Sequence, residues 1–289
     1  MVHTIVFNNT TAVTGSNNSR YRFNLAQTTM LKRGSYVGVQ AITMPYSWFN
    51  ITSANGNNTF SALFPTLSTP LGATLSITIP DGFYTLAQLN AYFQYRMIQG
   101  NYYLINSTSQ FVYYAQFVYN TTSYDVEIDT FGVPTALPAG YTAPSAGWGG
   151  NNLPATANTP QIVIPATSSI GSIIGFSAGT YPPAQQTATY SVTSDLTPNL
   201  TPINSLIMQC NLVNNPYSQF SRTLYSFTPN VGFGSNIDIQ NSYPAFVSIQ
   251  EGYYGFIEIE FVDQNYRPIT ILDPNLCIQL VIRDPDETV

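Results

Sequence analysis

The sequence predicts an all-β fold, a sandwich or a barrel, and three observations point to it. Short runs rich in β-branched and aromatic residues recur along the 289 residues, and such residues favour strands. Clusters of Asn, Gly, Pro and Ser separate these runs and are typical of turns. Only two segments show the spacing of an amphipathic helix, which is too few for the strand–helix alternation that a parallel sheet needs. Many short strands with this spacing are typical of sandwiches and barrels.

Each strand is predicted from the composition of its run and from the turn residues that bound it. The alternation of large and polar residues in segment 20–25, for example, predicts a strand with one buried face. In chain order the predicted strands are residues 2–7, 20–25, 35–48, 58–63, 74–79, 101–105, 111–119, 124–129, 161–164, 187–193, 205–213, 224–227, 245–249, 255–262 and 276–283.

A helix is predicted over residues 86–98. Its apolar residues recur at intervals of three and four, which places them along one face; they are Leu86, Leu89, Phe93 and Met97. Thr85 and Gln88 have the spacing of a capping box at its start. Gly100 suits its end.

A second, shorter helix is predicted over residues 170–174. Ser168 or Ser169 is expected to cap it, and Gly175 is expected to end it. Neither helix is long enough to organise an α/β sheet.

Residues 132–160 differ from the rest of the chain because they are rich in Pro, Ala, Gly, Thr and Asn and lack apolar periodicity. They predict a long exposed loop inserted in the sandwich at about residues 130–160, and loops of this length tend to be functional or mobile. Trp148 lies among three glycines within it. Its side chain is expected either to anchor the loop or to contact a neighbouring molecule.

The composition excludes several classes of protein. Only 8% of residues are charged, the formal net charge is -6, and Lys32 is the only lysine, so the basic surface of a phosphate-binding protein is missing. Ample aromatic and branched apolar residues argue against disorder. The sequence has no run of about 20 apolar residues, so no membrane span is predicted. The first residues, 1–7, lack the pattern of a signal peptide.

Catalysis is poorly supported. His3 is the only histidine, so a Ser-His-Asp triad or a histidine-based metal site has at most one imidazole. Carboxylates alternate along two predicted strands, Asp125, Glu127 and Asp129 on one and Glu258 and Glu260 on the other. The first group is compatible with a Ca²⁺ site or an acid–base pair, but we expect both groups to be solvated strand faces. The sequence therefore predicts no catalytic, cofactor-binding or metal-binding residue, no cofactor and no enzyme.

Two further sets of residues leave alternatives open. Cys210 and Cys277 lie in apolar strand-like runs; we expect two reduced, buried thiols, and a disulfide only if the two strands are neighbours. Aromatic residues of a charge-poor sandwich can form a carbohydrate platform, but in strands they are more often core residues. The candidates for such a platform are Tyr102, Tyr103, Tyr113, Tyr114 and Tyr119.

Four segments resemble a known family in their order and spacing. They are PDGFYTLAQLN at residues 80–90, IIGF at 173–176 followed by GTYP at 179–182, TPINSLIMQCNLVNN at 201–215 followed by LYSF at 224–227, and FVDQNYRP at 261–268. Together they resemble the penton (vertex) proteins of virophages and polinton-like viruses, a family of single jelly-roll capsid proteins. The resemblance spans about residues 74–285 and leaves the insertion at 132–160 unmatched.

The resemblance implies a single jelly-roll sandwich with two short helices and an inserted loop region. The polar character of the sequence up to Ser19 predicts an N-terminal arm over residues 1–19, which is followed by a jelly-roll domain over 20–285 and a C-terminal tail over 286–289. The implied function is a penton protein, a homopentamer at the fivefold vertices of an icosahedral capsid. Its partners are then the major capsid protein and minor capsid proteins, with no nucleic acid, and it is made in the host cytoplasm and located in the virion. The arm is expected to contact neighbouring subunits or the inner shell. The alternative is a carbohydrate- or receptor-binding β-sandwich on a virion surface.

Overall fold

The computed structural model describes residues 2–69 and 72–285, and it confirms an all-β fold. Its strands are β1 (Val2–Asn8), β2 (Arg20–Leu31), β3 (Tyr36–Pro45), β4 (Thr59–Phe64), β5 (Ala73–Thr78), β6 (Leu104–Ile105), β7 (Phe111–Val112), β8 (Ala115–Asn120), β9 (Asp125–Thr130), β10 (Gln161–Ile164), β11 (Gly179–Tyr181), β12 (Tyr190–Thr193), β13 (Leu206–Cys210), β14 (Thr223–Phe227), β15 (Asn236–Gln240), β16 (Val247–Ser248), β17 (Gly252–Asp263) and β18 (Cys277–Arg283). The helices are α1 (Leu86–Gln99) and α2 (Gly171–Ile174), and Asn9–Thr11 form one 3₁₀ turn.

The chain divides into two compact units. The jelly-roll unit consists of Met1–Trp48 and Ile203–Val289, and the inserted unit is Phe49–Pro202. The inserted unit is therefore connected between β3 and β13, and it is far longer than the insertion predicted at residues 130–160. The predicted C-terminal tail, residues 286–289, lies outside the described residues.

The jelly-roll unit contains two antiparallel sheets. The first has the order β1-β18-β3-β15, with β16 also paired to β3, and the second has the order β14-β13-β17-β2. Counted along the unit without the short β16, the first sheet holds its first, eighth, third and sixth strands, and the second holds its fifth, fourth, seventh and second. This interleaving of eight strands in two sheets is that of a jelly roll. The predicted jelly roll is confirmed.

The N-terminal segment belongs to the fold over much of its length, which corrects the prediction of an arm over residues 1–19. Strand β1 pairs with β18 along its whole length. Ile5 and Phe7 are buried, and the Phe7 ring meets the Phe23 ring of the other sheet with centroids 6.3 Å apart. Ala12 then forms a bridge to Tyr21. The physical reason is that inward and outward side chains alternate along β1. The inward ones, Ile5 and Phe7, are removed from water when β1 joins the sheet and packs against the other sheet.

The inserted unit contains two further antiparallel sheets, β11-β10-β4-β5 and β12-β9-β8, and the short ribbon β6-β7. Three phenylalanine rings join its sheets to helix α1. The Phe93 ring of α1 lies 5.2 Å from that of Phe60 in β4 and 5.5 Å from that of Phe117 in β8, centroid to centroid. The helix thus buries its predicted apolar face against both sheets.

Helix α1 begins as the sequence predicts. The Thr85 hydroxyl accepts a hydrogen bond from the Gln88 backbone N–H at 3.3 Å, and the Gln88 carboxamide oxygen accepts one from the Thr85 N–H at 2.8 Å. The predicted capping box is confirmed, and Gly100 is the C-cap.

Helix α2 differs from its prediction at its start. The N-cap position is held by Ile170, whose side chain makes no capping bond. The Ser169 hydroxyl accepts a hydrogen bond from the Gly171 N–H at 3.0 Å instead, and Ser168 has a positive φ of 54°. Gly175 ends the helix as predicted, with a left-handed φ of 78°.

Two strands were not apparent in the sequence, β11 and β15. The first is only three residues long and starts at a glycine, and the second carries one fully buried apolar residue, Ile237, among polar ones. Neither run is apolar enough for periodicity to reveal it. Among the described residues, no helix has the length and apolar character needed to cross a membrane.

Candidate assembly surfaces

Trp148 is the anchor of the long loop. Its side chain is fully buried, and its indole N–H donates a hydrogen bond to the Pro65 carbonyl at 2.8 Å. The rings of Phe64, Tyr102 and Tyr114 meet it edge to face, with centroids 6.1, 5.7 and 5.5 Å away. The loop has neither helix nor strand of its own, as predicted, and this aromatic cluster holds it. Trp148 is therefore not available to a neighbouring molecule.

The tyrosines considered for a carbohydrate platform do not form one. Tyr102 and Tyr114 are buried beside Trp148. Burial, with a smaller contribution from Tyr141, raises the pKa of Tyr114 to about 12. The remaining three pack against other rings near the surface: Tyr103 and Tyr113 against Phe111, and Tyr119 against Tyr124. Because Trp48 is buried too, both tryptophans and two of the five candidate tyrosines, Tyr102 and Tyr114, are core residues.

The single histidine lies beside a carboxylate rather than a nucleophile. The His3 Nε2 atom is 3.4 Å from Asp284 Oδ2. Cys277 lies opposite Asn8, at the other end of β1. Within residues 2–69 and 72–285, no three His, Cys, Asp or Glu side chains are grouped to hold a metal ion.

The cysteines are both free, and only one is buried. Cys210 lies in β13 of the second sheet, and burial raises the pKa of its thiol to about 12. Cys277 lies in β18 of the first sheet and is exposed. The expectation of two buried thiols is thus wrong for Cys277. Alternation along the strand gives the reason, because the next residue, Ile278, is buried and Cys277 points to the opposite face.

The three carboxylates of β9 share one face of the inserted unit with uncharged amides. Asn120 donates a hydrogen bond to Glu127 at 2.9 Å, and Gln116 donates one to Asp129 at 3.1 Å. Asp125 lies at the start of the strand, opposite Asn120. These contacts describe a polar strand face in which two of the three acidic groups, Glu127 and Asp129, accept hydrogen bonds from side-chain amides.

The outer face of the second jelly-roll sheet carries a ladder of ion pairs. Arg20 lies opposite Glu260 and Arg22 opposite Glu258 on the neighbouring strands β2 and β17. The Arg20 Nη2 atom is 2.9 Å from Glu260, and the Arg22 Nη2 atom is 2.7 Å from Glu258. The hydrogen bond that Arg20 donates to Glu260, followed by the negative charge of Glu260, raises the pKa of Arg20. The sequence reading of these glutamates as a solvated face is corrected, because both are largely covered by arginine.

The outer face of the first jelly-roll sheet, which we call the neutral face, is different. It is formed by the outward residues of three of the four strands, β1, β18 and β3, of which the only charged one is Arg283; they are Val2, Thr4, Val6, Asn8, Cys277, Gln279, Val281, Arg283, Tyr36, Gly38, Gln40 and Thr43. A carboxylate borders this face on the fourth strand, β15, where Asp238 accepts a hydrogen bond from Thr43 at 3.1 Å. Val2, Val6 and Tyr36 are exposed. Three neighbouring strands thus present apolar and neutral hydrogen-bonding groups together.

The loop between β15 and β16, residues 241–246, lies across part of the neutral face. A Cβ atom on Gly38 would stand 2.9 Å from Pro244, so the absence of a side chain there lets the loop approach the sheet. Arg283 packs over the Phe246 ring, with its guanidinium carbon 4.5 Å from the centroid. Tyr243 remains 95% exposed. The one charge of this face is therefore stacked on an aromatic ring, and the loop adds an exposed tyrosine.

The four sequence segments that carry the family resemblance lie in strands, in turns, at the start of helix α1 and at the end of helix α2. In the inserted unit, residues 80–90 lead into α1, and Asn50 holds them by bonds to both backbone groups of Tyr84. Gly175, in the second segment, would bring a Cβ atom to 2.3 Å from the Leu196 carbonyl oxygen. In the jelly-roll unit, the third segment forms β13, and the turn of the fourth is tied by Arg267 to Asp263 at 2.7 Å.

Comparisons with known proteins give one kind of match. No family model matches the sequence, and no curated protein matches it. Among solved structures, the chain is similar to the crystal structure of the mavirus penton protein, with 12% sequence identity, a TM-score of 0.44 and 98% of each chain covered.

Proposed function

We propose that this chain is a penton protein, a structural capsid protein that forms a homopentamer at the fivefold vertices of an icosahedral virion. Its neighbours there are the major capsid protein and minor capsid proteins. The carrying observation is that penton-like sequence segments coincide with strands of a jelly roll. The third and fourth segments supply β13, β14 and parts of β17, and the jelly roll is an architecture of viral capsids.

The surface chemistry supports assembly of identical chains. Each chain carries a formal net charge of -6, so copies that approach through charged surfaces repel one another. The neutral face allows close approach with little repulsion, and it offers exposed Val6 and Tyr36 together with neutral hydrogen-bonding groups. Interface cores are depleted in charged residues and enriched in aromatic ones. We therefore place a contact between copies on the neutral face.

The direct test is the size and symmetry of the purified protein. Mass photometry should find a species of five times 31.8 kDa, and negative-stain microscopy should show fivefold rings. A protein that stays monomeric at high concentration, and that does not join particles when it is expressed with the other capsid proteins, contradicts the proposal.

A pair of variants tests the neutral face. Val6→Glu places a carboxylate at an exposed outward position of β1. A contact with the next copy would bury this charge without a partner, and we expect about tenfold or greater loss of rings. Asn24→Glu is the matched control, because Asn24 is exposed on β2 of the other sheet. Equal assembly of both variants would remove the neutral face as a contact. Unchanged melting temperatures would establish that folding is intact.

A further inference from the structure

The jelly-roll unit contains a cavity between its two sheets. The cavity has a volume of about 390 Å³ and lies among β1 and β18 of the first sheet and β2 and β17 of the second. Each strand contributes an apolar side chain to its lining, namely Ile5, Ile282, Leu25 and Ile257. This volume and this lining are in the range of sites that bind small molecules.

An irregularity in the second sheet accompanies the cavity. In the β2–β17 ladder, Thr29 pairs with Tyr254 and Asn24 pairs with Phe256. The four residues 25–28 of β2 therefore face a single residue of β17, Gly255. Such a bulge interrupts the ladder and bends its strand. Leu25 is the first residue of this irregular stretch, and Thr29 directly follows it. Both residues line the cavity, so the bulge lies at the cavity wall.

Polar and apolar groups are separated within the cavity. The buried lining residues are apolar, whereas the polar ones are exposed or half-exposed and define the mouth. At the mouth, the His3 imidazole is paired with Asp284. Lys32 also lines it, is exposed, and forms no ion pair with any described residue. Adjacent Arg33 is likewise exposed and without an ion pair among the described residues. Among the described residues, the charge beside this apolar space that has no ion-pair partner is therefore positive.

We propose that the cavity binds a single-chain anionic amphiphile, an unbranched aliphatic carboxylate. Its hydrocarbon chain lies between the sheets against Ile5, Leu25 and Ile257, where no polar group needs a partner. Its carboxylate lies at the mouth and contacts Lys32. A peptide strand fits less well, because the bulge in β2 breaks the row of backbone groups that an added strand would pair with. The proposal does not depend on the proposed function.

The test titrates laurate, below its micelle concentration, into the purified full-length protein and follows binding by calorimetry and native mass spectrometry. We expect saturable binding of one laurate per chain. Dodecylamine and dodecanol have the same chain with a cationic or neutral head, and we expect both to bind about tenfold more weakly, since only the carboxylate attracts Lys32. No saturable laurate binding, or equal binding of dodecylamine, overturns the proposal.

Variants locate the site. Leu25→Trp fills the cavity and should abolish binding, whereas Leu272→Trp, at an exposed leucine outside the cavity, should not. Lys32→Gln changes an exposed side chain and should reduce laurate binding to the level of dodecanol, which keeps the test decisive if Leu25→Trp does not fold. Undiminished binding by Lys32→Gln overturns the proposal.

Assembly provides a separate readout. Absence of fivefold rings with laurate binding intact contradicts only the proposed function. Rings without any laurate binding contradict only the amphiphile site. Laurate that binds monomers but is expelled when rings form identifies side chains of a second copy as the occupant, and that outcome also overturns the proposal.

Discussion

The Arg22 guanidinium donates two hydrogen bonds to Glu258 on the neighbouring strand. Its Nε and Nη2 atoms lie 2.9 Å and 2.7 Å from the same carboxylate oxygen, Oε2. The two partners differ in burial, since the arginine side chain is 43% exposed and the glutamate side chain only 11%. The ring of Phe256 lies under the guanidinium, 4.4 Å from its carbon to the ring centroid. The pair therefore joins a solvated cation to a carboxylate that is covered by it.

This difference in burial predicts an asymmetry between two substitutions. Arg22→Ala leaves the Glu258 carboxylate buried with only the more distant Arg20, and we expect a loss of about 2–3 kcal/mol. Glu258→Gln leaves an exposed arginine that water can solvate, so we expect about 1 kcal/mol or less. Urea denaturation at neutral pH measures both. Glu251→Gln, at an exposed glutamate, is the control. A larger loss for Glu258→Gln would contradict this account.

Strand β1 is predicted to be essential to the jelly-roll unit. Phe7 is fully buried, so Phe7→Ala should cost about 3–5 kcal/mol. Val6 points outward and is 40% exposed, and Val6→Ala should cost under about 1 kcal/mol. Thermal unfolding distinguishes the two. Deletion of residues 2–8 should abolish cooperative unfolding of this unit, and a stable deletion product would show that the segment is dispensable.

The alternation of side chains made most strands predictable, and it failed where local pattern carries too little information. Strand β1 was apparent from Ile5 and Phe7, yet its place beside β18 depends on partners far along the chain. The boundary at Phe49 was not apparent, because strands of both units share one composition. The Arg22–Glu258 ion pair was not predictable either. It depends on the register of β2 against β17, which the residues of a single strand do not specify.

Gly175 is predicted to tolerate no side chain. Its φ is +78°, and an added Cβ atom would stand 2.3 Å from the Leu196 carbonyl oxygen. The unfavourable backbone conformation and this contact together should make Gly175→Ala destabilising by at least about 2 kcal/mol. Gly232→Ala is the control, because nothing lies within 4 Å of its Cβ position. Thermal unfolding measures both, and similar melting temperatures would refute the prediction.

The two thiols should differ in reactivity. Burial raises the pKa of Cys210 to about 12, so at pH 8 roughly one molecule in ten thousand carries the thiolate, and access is blocked as well. Cys277 is exposed. Ellman's reagent should therefore titrate one thiol in the folded protein and two in denaturant, and none in folded Cys277→Ser. A single thiol in denaturant, or none, would reveal a disulfide or another modification.

Assembly should depend little on salt. The neutral face holds one charged residue, Arg283, which is stacked on Phe246, so a contact through this face relies on apolar groups and neutral hydrogen bonds. Screening acts on charges, and the Debye length falls from about 30 Å at 0.01 M to about 3 Å at 1 M salt. The ring dissociation constant should therefore change less than about threefold over that range, because few charges cross the contact. Mass photometry at several salt concentrations measures it. Steep dissociation at high salt would show that ion pairs, such as those of the Arg20–Glu260 ladder, hold the copies together instead.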